Sequence, residues 1–217
     1  MDRDKETKKK LLSCAMKEFS EKGYMKASLR NICKEAGVTT GALYFFFKDK
    51  EDLFASLVGE PLKKLEKMLI VHFIEEVAAS KELKEKSLDL TRAALQAGFK
   101  DDMEMAQNVI SFLFENKQAF DLLLTRAQGS AYENLPDHMV DLVEGHYSKM
   151  YAAMKGYKST RNLTKEDKFI IHWMSHDQID IFIHIVTHCK DEKEAERQLR
   201  NMMAYMIGGW LAVLDLD

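Results

Sequence analysis

Turn-forming residues are scarce in this chain, with 2 prolines and 10 glycines among 217 residues. So little punctuation argues against the many short strands of a sandwich or barrel and for long helices. Cysteine is equally sparse. Cys14, Cys33 and Cys189 are an odd number without paired spacing, so neither a disulfide framework nor a zinc knuckle is encoded. A long apolar run is also missing: the longest uncharged stretch, 201–214, falls short of the roughly 20 residues of a membrane-spanning helix. The first ten residues are charged throughout and lack the apolar core of a secretory signal, so a cytoplasmic protein with no membrane attachment is expected. There is no phosphate-binding glycine loop, no nucleophile motif and no His-Glu-x-x-His pair, so neither an enzyme nor a bound cofactor is expected.

What is present is apolar bulk and unevenly distributed charge. Hydrophobic residues make up 46% of the chain, enough for a sizeable core in one large or two small domains. The formal charge of −3 divides unevenly: residues 1–50 hold 12 Lys/Arg against 7 Asp/Glu, a balance of +5, and the remainder carries −8. A basic end on an acidic body suggests that the end meets a polyanion and the body does something else.

Helical periodicity runs through the whole sequence. Residues 5–22 carry Leu12, Ala15, Met16 and Phe19 at helical spacing and stop at Gly23. In "SLRNICKEAGV", Ser28 is an N-cap, Leu29, Ile32, Cys33 and Ala36 mark one face, and Gly37 ends the helix. After Val38, Thr39 or Thr40 can cap a third helix. Asp49, with Asp52 three positions on, opens a fourth that is long and is expected to kink or break at Gly59 and Pro61. Further helices are expected over 81–99, 102–114, 117–128, 137–155, 165–190 and 192–214, with breaks at "KDD", Asn116, "GSAYENLP" and "KGYKSTRN". The expectation is an all-α protein with residues 1–50 as an amino-terminal domain, 51–78 as a linking helix and 79–217 as a second helical domain.

Two short helices, 28–36 and 40–47, joined by a tight turn at Gly37, fit a helix-turn-helix. In that unit the second helix enters the DNA major groove amino-terminal end first, while the first crosses the backbone. Small residues at that end (Thr39, Thr40, Gly41, Ala42) permit close approach, and hydroxyls and terminal N–H groups can bond phosphate. Leu29, Ile32, Ala36, Val38, Leu43 and Phe47 are expected to lock the two helices together.

The run 19–54, "FSEKGYMKASLRNICKEAGVTTGALYFFFKDKEDLF", resembles the DNA-binding domain of the tetracycline-repressor (TetR) family of regulators. The resemblance rests on Phe-x-x-x-Gly-Tyr, Ser28, Ala36-Gly37-Val38, Gly41-x-Leu43-Tyr44, Phe47 and Lys50-x-x-Leu53, without a gap, over about the first quarter of the chain. It implies phosphate contacts from Ser28, Tyr44, Lys48 and Lys50, with Arg30, Thr39, Thr40 and Gly41 nearest the base edges. Capping alone for Ser28 and Thr39, packing for Tyr44 and a solvated face for the lysines are the plainer accounts. Two positions depart from the family pattern. Ala27 stands where threonine is more frequent, and Phe46 where histidine is, so one hydroxyl and one polar phosphate contact are lost.

The resemblance further implies that the second domain is a helical ligand-binding and dimerisation domain whose last two helices pair with those of a second copy. The apolar tail segments "FIIHWMSHDQIDIFIHIVTHC" and "NMMAYMIGGWLAVL" suit that role, with Gly208 and Gly209 allowing close helix approach. An effector cavity is expected to draw on Phe99, Met103, Met105, Phe112, Phe120, Tyr147, Met150, Tyr151, Met154 and Trp173, although aromatic and Met residues at helical spacing also make plain core. His172, His176, Asp180, His184 and His188 recur every four residues beside Cys189. Each step drifts about 40° around the helix, so the five cannot share a face. No metal is expected there; His172 with His176, or His184 with His188, are the pairs that could chelate one.

The function expected is that of a homodimeric, effector-responsive transcriptional repressor on near-palindromic operator DNA, acting on nearby genes. The alternative is an interaction protein of the same fold that works with a partner protein through Phe45 and Phe46.

Overall fold

The computed structural model describes the backbone of residues 2–85 and 92–213, and side chains at 3–78, 100–210 and 212–213. The described residues are helical throughout their regular structure, with no strand. In order they form α1 (Asp2–Lys26), α2 (Leu29–Ala36), α3 (Thr40–Phe46), α4 (Lys50–Glu85), α5 (Arg92–Glu115), α6 (Lys117–Thr125), α7 (Leu135–Met154), a 3-10 turn (Thr160–Asn162), α8 (Lys165–His188) and α9 (Glu192–Val213). They make two compact units, one of Met1–Lys64 with Asn116–Leu135 and one of Leu65–Glu115 with Pro136–Asp217.

The first unit is built on α1. Leu11, Ala15 and Phe19, each one turn from the next, are fully buried, while Leu12 and Met16 are half-buried. This face packs α1 against α2 and α6. Phe19 meets Phe54 of α4 edge to face at 5.0 Å, Tyr24 meets the same ring at 5.2 Å, and Tyr132 tilts on it at 6.0 Å. The loop after α6 is therefore part of this core. It is tied in by the Tyr24 N–H, which donates to the Arg126 carbonyl at 2.8 Å.

In the second unit α5, α8 and α9 share one core: Ala106 and Ile110, Ile181 and Ile185, Ala195, Leu199 and Met203. A second cluster joins Val143, Tyr147 and Tyr151 of α7 to Ile171 and Met174 of α8, with Leu163 beside them. α8 starts on a full capping box, in which Thr164 Oγ accepts from the Asp167 N–H and the Asp167 carboxylate from the Thr164 N–H.

Two expected breaks are absent. α4 runs through Gly59 and Pro61 without interruption. Proline forfeits its own N–H bond to the preceding turn, but Val58 and Leu62 on either side are buried and hold the helix to the core. Gly59 has a separate reason to be small, since an added Cβ would lie 3.4 Å from the Tyr132 hydroxyl. The charged run at 100–102 likewise does not end a helix, and α5 passes straight through it. Buried Ala106 and half-buried Met103 keep that face packed, and the charges lie outside it.

Candidate nucleic-acid interface

The amino-terminal unit presents α3 on a frame set by local backbone chemistry. Ser28 has extended backbone, and its Oγ accepts from the Asn31 N–H at 3.4 Å, starting α2. Glu18 of α1, although buried, receives the Ser28 N–H at 3.1 Å and the Asn31 side-chain amide at 3.4 Å, which fixes the start of α2 against α1. α2 ends on Gly37 in the left-handed region (φ 68°, ψ 33°), with its N–H returned to the Cys33 and Lys34 carbonyls. Glycine adopts that conformation without steric cost. Thr39 then caps α3, its Oγ accepting from the Ala42 N–H at 3.2 Å.

The two short helices are held as the sequence implies. Ile32, Leu43 and Phe47 are fully buried, Cys33 nearly so, and Leu29, Ala36 and Val38 are half-buried. α4 opens with a reciprocal pair: the Asp52 N–H donates to Asp49 Oδ1 at 2.8 Å and the Lys48 N–H to Asp52 Oδ2 at 2.9 Å. With Leu43 and Phe47 pinned inward, helical geometry turns Thr40, Gly41 and Tyr44 outward, beside exposed Thr39. Gly41 has no positive φ, and among the described residues a Cβ there would meet only Thr39 Oγ1, at an ordinary 3.8 Å. No contact among the described residues requires a glycine at this position, and its effect is to leave the surface low there.

Of the eight residues expected to touch DNA, Arg30, Thr39, Thr40, Gly41, Tyr44 and Lys48 are exposed and Ser28 is half-buried. Lys50 is different. Its ammonium donates to the Met25 carbonyl at 3.2 Å and lies 4.7 Å from the centre of the Tyr24 ring, and burial holds its pKa below the ordinary lysine value. One cation that composition could not single out is Lys8 of α1, whose ammonium sits 5.5 Å from the Phe47 ring at the end of α3. Phe46 is half-buried and meets exposed Phe45 edge to face at 4.9 Å.

The residues expected around an effector do not gather at one place. Tyr147, Tyr151 and Met150 belong to the α7–α8 cluster and Met103 to the α5–α8–α9 core, whereas Phe120 is buried in the amino-terminal unit. Phe112 is half-buried on α5, Trp173 is 50% exposed, and the Phe99 side chain lies outside the described residues. The α8 histidines are dispersed along the helix: His172 pairs with Glu144 at 2.7 Å and meets the His176 ring at 4.7 Å, while the His184 and His188 rings stack at 5.1 Å. A different group was not visible in the sequence. His72 and Glu76 of α4 converge with Asp102 of α5, and His146 of α7 reaches Glu76. Only the four-residue step from His72 to Glu76 could have hinted at it.

A two-helix turn capped at Ser28, Gly37 and Thr39, with an exposed small-residue helix start and flanking cations, defines a helix-turn-helix DNA-binding unit. Residues 11–57 match the model of the bacterial regulatory proteins of the tetR family. The chain is similar to the HTH-type transcriptional regulator AcrR of Shigella flexneri, at 38% identity over 32% of this chain and 41% of that protein. It is also similar to the HTH-type transcriptional repressor BepR of Brucella suis, at 44% identity over 25% of this chain and 26% of that one. The chain thus spans less than half the length of these relatives. Among solved structures, a transcriptional regulator (TerR/AcrR family) from Aquifex aeolicus superposes with a TM-score of 0.53 at 18% identity, over 92% of this chain and 99% of that one. Residues 11–57 thus carry the amino-terminal segment of the TetR family of regulatory proteins, and the fold of the whole chain agrees with that of the solved structure.

Proposed function

We propose that the chain is a homodimeric, effector-responsive repressor that reads near-palindromic operator DNA. The observation that carries this is α3 itself. Buried Leu43 and Phe47 orient it, and Thr40, Gly41 and Tyr44, with the capping residue Thr39, are left exposed on one surface. Thr40, Gly41 and Thr39 meet base edges with Arg30. Ser28, Tyr44 and Lys48 meet phosphates, and Lys50 mainly braces the frame with part of its donor capacity directed to the backbone. Residues 1–50 act as the reading head and 51–78 as the linking helix. The body supplies the effector site, drawing on the Tyr147, Met150 and Tyr151 cluster.

Dimerisation through α8 and α9 is supported by Phe169, Trp173 and Tyr205, which are 72%, 50% and 53% exposed on those helices. Large aromatic rings left in water on two adjacent helices are costly in a monomer and ordinary at an interface core. Two reading heads then engage half-sites about one helical turn, roughly 34–36 Å, apart.

The test is selection of bound duplexes from a random-sequence pool, followed by anisotropy titration at several salt concentrations. The reading requires recovery of a two-half-site sequence and a steep loss of affinity with salt. Recovery of no sequence preference at low salt refutes it and favours the partner-protein alternative, to which Phe45, 76% exposed, would contribute.

A further inference from the structure

We propose that His72, Glu76, Asp102 and His146 form a binding site for a divalent first-row transition metal, with Zn2+ and Co2+ as its probes. His72 Nε2 lies 3.5 Å from Asp102 Oδ1 and 3.8 Å from Glu76 Oε2, and the ligand atoms of these three residues are all within 4.8 Å of one another. His146 Nε2 approaches the same Glu76 Oε2 at 2.8 Å. Four ligands held about 2.0–2.2 Å from a tetrahedral metal stand roughly 3.3 Å apart. Three of the six edges are therefore within about half an ångström of a coordination shell, and His146 joins the group through Glu76. Two imidazoles and two carboxylates also match the metal in charge, since two anionic groups balance a dication. The absence of a thiolate argues against Cu(I), and two nitrogens argue against Mg2+ or Ca2+.

A second imidazole, buried, faces the group through its Nε2. The His146 side chain is 3% exposed, and its Nδ1 has no hydrogen-bond partner among the described residues. The ring is oriented by packing, stacked on Phe73 at 4.1 Å with 6° between the planes. With a metal on Nε2 the ring's proton resides on Nδ1, which is unpaired with or without the metal, so binding at Nε2 displaces only the contact with Glu76.

The site lies wholly within the second unit and joins α4, α5 and α7. Its existence does not depend on DNA binding. On the repressor reading above, on which this further step rests, the metal is an effector, because α4 supplies two ligands and is the same unbroken helix that begins three residues after Phe47.

The test starts from the full chain stripped with a chelator and titrated with Co2+, following visible d–d absorption and then displacement by Zn2+. One Co2+ per chain is expected. Asp102→Asn and His72→Gln should each weaken uptake at least about tenfold, and the double variant His184→Gln/His188→Gln should leave it unchanged. Zn2+ should raise the melting temperature of the wild type and not that of Asp102→Asn, whose metal-free melting temperature controls for folding. The site is overturned if the wild type takes up no stoichiometric Co2+, if both variants bind as the wild type does, or if the α8 double variant abolishes uptake. Anisotropy with the selected duplex separates the two claims. A Zn2+-dependent change in wild-type affinity that Asp102→Asn lacks supports the effector role, and equal affinities with and without Zn2+ overturn that role alone. Failure of the chain to bind DNA both without and with Zn2+ overturns the repressor reading and leaves the Co2+ result standing.

Discussion

Lys50→Ala should cost stability before it costs DNA affinity, and Lys48→Ala should do the reverse. The Lys50 ammonium donates to the Met25 carbonyl at 3.2 Å and lies over the Tyr24 ring at 4.7 Å. A hydrogen bond from a charged donor contributes about 1.5–3 kcal/mol, and partial exposure places this one at the low end. An exposed cation–π contact adds about 0.5–1 kcal/mol. The loss should be about 2 kcal/mol, which for a chain of this length corresponds to a melting temperature lower by about 4–8 °C. Lys48 is exposed, and it is its backbone N–H that Asp52 holds, so removing its side chain should leave the melting temperature within about 1 °C. If Lys48 neutralises a phosphate, its loss should reduce the slope of log affinity against log salt by about 0.9 per chain. Lys50→Ala should reduce that slope by clearly less. Calorimetry and anisotropy on the same three proteins settle the matter. The reasoning is refuted if Lys50→Ala flattens the slope by a full contact while melting with the wild type, because the ammonium would then be serving the phosphate and not Met25.

Three further outcomes follow from the same frame. Gly37→Ala should destabilise by about 1–2 kcal/mol through the left-handed backbone alone, since an added Cβ meets nothing within 4 Å; urea unfolding of this variant and of Gly37→Asn, which tolerates that region better, checks it. Glu18→Ala should cost about 1–3 kcal/mol by orphaning the Ser28 N–H and the Asn31 amide, whereas Glu18→Gln keeps an acceptor and should cost less, as read by the same unfolding assay. Burial, then the hydrogen bond with Glu51, push the Tyr24 phenol up to about 12. Its folded pKa lies above the unfolded value of about 10, so its stabilising contribution is intact below pH 10 and is lost as the pH rises through about 12. Tyr24→Phe should flatten the fall in stability over that window.

The amino-terminal unit was legible because its signals are local. Ser28, Gly37 and Thr39 each act within three or four residues of themselves, and each sits where its cap was expected. The misread breaks have a common cause. Pro61 and the charged run at 100–102 are unfavourable or neutral in isolation, and the helices persist because buried Val58 and Leu62, and buried Ala106, hold them from residues distant in sequence. Propensity sets a cost of a few kcal/mol at such a position, and tertiary burial of two or three large side chains exceeds it. The face of α1 shifted by one residue for the same reason: Leu11, not Leu12, meets the core once α6 packs alongside.

The candidate ligand residues show the limit more sharply. The α8 histidines make a conspicuous pattern at steps of four, yet the drift of about 40° per step spreads them around the helix, and His172 is satisfied by Glu144. His72, Glu76, Asp102 and His146 make no pattern in the sequence beyond one helical step, because their proximity is created by three helices meeting. A periodic series on one helix can supply at most two ligands to one metal, so a closed shell has to recruit from other helices. The sequence therefore advertises incomplete sites and conceals complete ones. The buried imidazole of His146, with its Nε2 against Glu76, is the sign that marks the concealed one here, and that proximity exists only in three dimensions.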